Sequence, residues 1–231
     1  MTFQTQVLAK KNGILIGDYF RGKQLNELGV EELAYIHLNL LHIRTPLKDF
    51  YVSSSLRELE QTLTASFGNK RTKQYVPLMT SFAILDQLGS LYSIEGDNCD
   101  FQNGIKKALA TLTHIQDRDD IESLVTLRNG LLHDGSLISH NHHKNIDVIY
   151  KMVVDSGKVI TPPKKVWDGI YRDSLSEYVT LIDLKELQAV VLKAIKLCAE
   201  HLEKSTLIIN CTDEKEFFYK YLFSEQIVNG N

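Results

Sequence analysis

The residues with the most chemistry in them stand together in one stretch, Arg128-Asn129-Gly130-Leu131-Leu132-His133-Asp134-Gly135. Arg128 offers a permanent charge and a planar fork of donors suited to phosphate oxygens. His133 carries an imidazole, a group that can take or give a proton. Stepping about 100° per residue from Ile121 gathers Leu124, Val125, Leu131 and Leu132 on an apolar arc with Arg128 near its centre. A buried unpaired guanidinium is expensive, so Arg128 must be ion-paired, line a wet cleft or face a partner chain. Asp86, between Phe82 and Tyr92 on an expected helix, is the candidate structural partner of the first case. His133 would then be only a C-terminal cation favoured by the helix dipole. Asn129 and His133 lie on the flank of the same helix, His133 about 140° round from Arg128.

The elements that must position these groups are mostly helical. Apolar spacing predicts helices over 25–43, 47–67, 77–93, 100–113, 117–133 and 184–202, with Pro77 tolerated in a first turn and Asp183 placed to cap the last. The acidic run Asp117, Asp119, Asp120, Glu122 suits the start of the helix that carries Arg128. An Asn12-Gly13 pair between apolar runs predicts a hairpin over 7–16. Alternation over 146–154, a turn at 155–157 and Val159-Ile160 predict a second hairpin, with a third strand at 178–182. The tail, 205–231, offers a short strand at 207–209 and a helix around 214–222. The expected fold class is mainly α: a single domain over 1–231, an up-and-down helical bundle with a small strand-bearing insert, 136–182, before its last long helix.

Composition narrows the function classes. With 231 residues, 43% hydrophobic and 24% charged, the chain can bury a core. Twenty-six Lys+Arg against 29 Asp+Glu, a net charge of -3, argues against a whole-surface nucleic-acid coat but leaves room for a local basic cleft. No signal peptide or membrane span is read, and the expected location is cytoplasmic. Cys99, Cys198 and Cys211 fit neither a disulfide framework nor a thiolate zinc site. His140-Asn141-His142-His143 lacks metal-ligand spacing, so no metal and no cofactor is expected. Phosphate-loop, Rossmann, esterase-elbow and zincin motifs are missing. Lys70-Arg71-Thr72-Lys73, Lys106-Lys107 and Lys164-Lys165 could guide phosphates, and Tyr75, Tyr92, Tyr150 and Tyr171 could stack on bases. Each has an equally good ordinary role as solvated surface or core.

The string from Arg128 to His133, late in a helix and followed by a turn, resembles the Arg-polar-x-x-x-His signature of the HEPN superfamily. That resemblance implies a four-helix bundle that dimerises so that two motifs share one cleft. It also implies one of two activities. Many members are metal-independent endoribonucleases of toxin-antitoxin and phage-defence systems, and others only bind RNA or nucleotides. Carried onto this chain, it makes Arg128 and His133 the catalytic pair, Asn129 a substrate-binding or orienting group, and RNA the substrate. A homodimer is the working form, with an antitoxin or other protein as a further partner. Gly130 and the strand-bearing insert depart from the pattern.

Overall fold

The computed structural model describes residues 17–38 and 44–227. In chain order the elements are α1 (Gly17–Phe20), a 3-10 turn (Leu25–Glu27), α2 (Val30–Leu38), β1 (Thr45–Pro46), β2 (Phe50–Ser54), α3 (Ser55–Ser66) and α4 (Tyr75–Leu91). There follow β3 (Tyr92–Ile94), α5 (Gly104–Leu112), α6 (Arg118–His133), β4 (Ile138–Asn141), β5 (Ile146–Val153), β6 (Ile160–Thr161) and β7 (Val179–Asp183). The chain closes with α7 (Leu184–Glu203), β8 (Leu207–Ile209), α8 (Glu214–Tyr221) and β9 (Leu222–Gln226). The predicted hairpin over 7–16 lies outside the described residues.

Among the described residues the fold is mixed α/β, 47% helical and 18% strand with three sheets, and it overturns the expectation of a mainly α, up-and-down bundle. The physical reason is that most of the strands pair with distant segments, which local periodicity cannot register. The 47–67 helix is a case in point: β2 occupies its first residues, and the helix proper, α3, begins only at Ser55. β2 is held antiparallel between β1 and β9, with Ser54 opposite Leu222 and Phe50 opposite Gln226.

The chain divides into two compact units. The first holds the described residues of 1–61, 91–97 and 195–231. Its two sheets are β1-β2-β9 and the antiparallel pair β3-β8. At its centre His37, 1% exposed, meets the hydroxyl of fully buried Tyr92 through Nδ1 at 2.8 Å, with Phe217 edge-on to the imidazole.

The second unit, 62–90 and 98–194, carries the helices and the sheet that position the motif. Its four-stranded sheet has the order β4-β5-β7-β6. β5 is antiparallel to β4 and parallel to β7, and β6 returns antiparallel to β7. The expected hairpin of 146–154 with 159–160 therefore does not form. β7 takes the place beside β5, and the 155–157 turn leads to a strand one position further out. Tyr150 ties this sheet to α6, its hydroxyl donating to the Ser123 carbonyl at 2.8 Å. Burial pushes the phenol up to about 12, against the pull of hydrogen bonds from Ser123 and Thr126.

Candidate functional site

Helix α6 begins as its sequence requires. Asp117 is the N-cap, one carboxylate oxygen accepting the backbone N–H groups of Asp119 at 2.8 Å and Asp120 at 3.2 Å. At the other end the Gly130 carbonyl accepts two donors, the N–H groups of Asp134 and Ser136, each at 3.0 Å. Gly130 is buried, and a Cβ there would lie 2.8 Å from the Cβ of Ser139 on β4. The glycine inside the motif is thus what lets the sheet cross the helix at this level.

Arg128 is half-buried, at the margin of a face where Leu124, Val125, Leu127 and Leu131 are buried. Leu132, placed by the sequence on the apolar arc, is 45% exposed, so the arc stops one residue short of its predicted width. The guanidinium donates from Nη1 to Oδ1 of Asn129 at 3.1 Å. Among the described residues no carboxylate comes within 4.0 Å of it, which corrects the expected pairing with Asp86. Asp86 is half-buried on α4, and its Oδ1 lies 2.6 Å from where a Cβ on Gly104 would stand. It faces α5 rather than the arginine.

His133 is exposed in the last turn and makes no hydrogen bond or ion pair among the described residues. The structure therefore brings Arg128 and Asn129 into contact and leaves His133 free in solvent on the same helix end. Such an arrangement leaves several guanidinium donors unoccupied and, further along the same helix end, an imidazole without a partner among the described residues. Of the tyrosines considered for stacking, Tyr92 and Tyr150 are buried, whereas Tyr75 and Tyr171 are exposed. His140 pairs with Asp147 at 2.9 Å and His143 approaches Asp119 at 3.6 Å, so this histidine cluster is spread over separate acidic neighbours.

A second feature was not legible in the sequence. At the N-terminal end of α6 a cleft of about 390 Å³ opens between the helix and the sheet. It is bounded by Asp117, Asp120 and Ser123 on the helix and by Asn141, Val148, Ile160 and Thr180 on the strands. The acidic run suggested only a helix start, and Thr180 carried no signal at all. Its place is set by the parallel register that puts it beside Tyr150.

No helix among the described residues is long and apolar enough to cross a membrane. No family model, curated protein or solved structure matches the chain.

Proposed function

We propose that this chain is a metal-independent endoribonuclease with HEPN-type chemistry, working in the cytoplasm as a homodimer whose two motifs share one cleft. The reading rests on the motif, not on the bundle first expected of it. The observation that carries it is the state of Arg128: half-exposed on a helix, hydrogen-bonded to the neutral amide of Asn129, with no carboxylate within 4.0 Å to neutralise it among the described residues. A guanidinium placed that way is available to an anion.

The step needs few groups. The imidazole of His133 takes the proton of a ribose 2′-hydroxyl. The 2′-oxygen bonds to the adjacent phosphorus, the bond from phosphorus to the 5′-oxygen breaks, and an imidazolium returns a proton to that oxygen. Arg128 donates to the non-bridging oxygens, where negative charge builds. Asn129 holds the guanidinium through the contact already made. The products are a 2′,3′-cyclic phosphate and a 5′-hydroxyl. A role in toxin-antitoxin or phage-defence systems, with an antitoxin as partner, belongs to the same proposal.

The test is incubation of wild type, His133→Ala and Arg128→Ala with total RNA in EDTA, followed by analysis of fragment ends. Loss of a general base lowers the rate by about 10²-fold or more. His133 is exposed, so its variant stays folded. Undiminished cleavage by folded His133→Ala overturns the assignment. RNA bound but never cut by wild type assigns the chain instead to the noncatalytic, RNA-binding members that the motif also resembles.

A further inference from the structure

The cleft at the N-terminal end of α6 is separate from the Arg128 motif and does not depend on the cleavage reading. Its walls and its polar groups specify a ligand in three parts. Val148 and Ile160 on the sheet and Pro162 and Val166 on the segment after β6 give an apolar part to the lining of a space of about 390 Å³. A partly apolar cleft of that size has room for a flat ring. At its helical side stands Asp120, half-buried, whose carboxylate accepts no hydrogen bond among the described residues. Burial first, and then the carboxylates of Asp117 and Asp119, push Asp120 above the usual carboxylate range, against weaker pulls from Lys144 and Lys158. An ionised group there gains most from a ligand that brings N–H donors.

Two further polar groups converge on the same space. Thr180 is 2% exposed, lines the cleft, and its hydroxyl has no hydrogen-bond partner among the described residues. Asn141, equally buried, uses its carbonyl oxygen on the Lys144 N–H at 3.1 Å, which leaves its amide N–H groups to the cleft. Both are polar groups on the cleft wall with unused hydrogen-bonding capacity that a ligand can take up. Finally, three lysines stand on the boundary. Lys144 is paired with Asp119 at 2.8 Å and Lys165 with Glu177 at 2.7 Å, whereas Lys164 makes no ion pair within 4.0 Å among the described residues.

Simple ligands fail against this set. A polyamine meets the lysines, a bare phosphate meets the aspartates, and an apolar molecule leaves Asp120 and Thr180 buried without partners. A flat ring with a donor edge and an anionic tail satisfies all three parts. Among nucleobases, guanine alone presents two N–H donors side by side, N1–H and the 2-amino group, matching the two acceptor oxygens of a carboxylate. Adenine and cytosine place an acceptor beside their donor, which would face a carboxylate oxygen. We propose that this cleft binds a guanine base carrying a phosphate, with Asp120 on the N1 and 2-amino edge, Thr180 and Asn141 on the ring's remaining polar atoms, and Lys164 on the phosphate.

The ligand is either a free guanine nucleotide or a guanine within a strand, and one titration series distinguishes them. Calorimetry on the full chain with GMP, AMP, IMP and guanosine, and with short RNA oligonucleotides with and without guanine, reads the site directly. GMP should bind at least about 10-fold tighter than AMP and than IMP, which lacks the 2-amino donor. Asp120→Asn should remove most of that preference, and Thr180→Val and Lys164→Ala should each weaken GMP. A guanine-bearing oligonucleotide that binds more tightly than GMP assigns the strand, and equal affinity assigns the free nucleotide. Equal affinity for GMP and AMP, GMP binding untouched by Asp120→Asn, or no binding at millimolar GMP overturns the proposal. The wild-type ligand series decides even if a variant fails to fold. Because His133→Ala leaves this cleft intact, loss of cleavage and loss of guanine binding are separate results.

Discussion

The backbone of Gly130 on α6 lies directly against Ser139 on β4: a Cβ at Gly130 would stand 2.8 Å from the Ser139 Cβ and 3.0 Å from its Oγ. The Ser136 carbonyl oxygen, 3.1 Å from the same point, closes the third side. Alanine at 130 gains about 1 kcal/mol of helix propensity and incurs an overpacking cost of about 1–3 kcal/mol. Gly130→Ala is therefore expected to lower stability by about 1 kcal/mol in urea unfolding. Ser139→Gly removes two of the three obstructing atoms, so the double variant should show favourable coupling of about 1 kcal/mol. Additive effects would place the strand elsewhere.

The legible parts of this fold are those whose determinants are local. The helix that carries the motif was readable because Asp117 caps it and apolar residues recur at 121, 124, 125 and 131. α7 was readable from Asp183 and its apolar side, and the tail offered β8 and α8 at about their observed places, though not the Asp213 cap that starts α8. The bundle expectation failed where pairing is long-range. Nothing near Phe50 announces that its strand will find Gln226, and nothing near Tyr92 announces Ile209. The insert's strands at 146–154, 159–160 and 178–182 were visible, but β4 was not, nor that β5 would choose Val179 in parallel over Ile160 nearby. At the site, helical spacing put Arg128 near the centre of the apolar arc, whereas in the fold it is half-buried at the margin of the packed face. Asn129 is its neighbour in sequence, and Asp86, chosen from the character of its own helix, turns to Gly104 instead. The cleft needed three elements to be brought together and could not be read from any one of them.

Since Asp86 faces α5 and Arg128 contacts Asn129, the two should be energetically independent. A double-mutant cycle of Asp86→Ala and Arg128→Ala, read by chemical denaturation, is expected to give a coupling below about 0.5 kcal/mol. A buried ion pair would give several times that. Strong coupling would make the arginine a structural cation and remove the ground for an anion site at the motif.

Asp183 joins two elements with one carboxylate. Oδ1 accepts the N–H groups of Lys185 at 2.9 Å and Glu186 at 3.2 Å at the start of α7, while Oδ2 accepts the Ser156 N–H from the turn after β5. Burial by itself would raise this carboxyl, but the hydrogen bonds from Ser156, Glu186 and Lys185 outweigh it and hold it below the usual range. A group lowered in the folded state contributes stability above its unfolded value, about 3.9 for Asp, and that contribution is lost as pH falls through the lower folded value. Asp183→Asn should therefore cost about 2 kcal/mol at neutral pH, from the weakened cap and the lost charge-assisted bonds. The gap between variant and wild type should narrow below about pH 4. Urea unfolding at the two pH values checks both the size and the direction, and a gap that widens in acid would refute the role.

Helices α4 and α5 approach most closely at Gly89 and Gly104. A Cβ on Gly89 would overlap the Gly104 carbonyl oxygen and come within 2.8 Å of the Ala108 nitrogen. These obstructing atoms are backbone, so no side chain can rotate away to make room. The alternative is separation of two helices that also carry the fully buried Leu85, Leu88, Ala108 and Leu109. That exceeds the usual overpacking cost of about 1–3 kcal/mol, because many contacts are loosened together. Gly89→Ala is expected to lower stability by more than about 3 kcal/mol, a large part of what a domain of this size has in reserve. Tyr75→Phe, at an exposed position in the first turn of the same helix, should change it by less than about 0.5 kcal/mol. Paired thermal melts of the two variants measure the contrast, and a Gly89→Ala protein as stable as wild type would mean that the helices do not touch at this point.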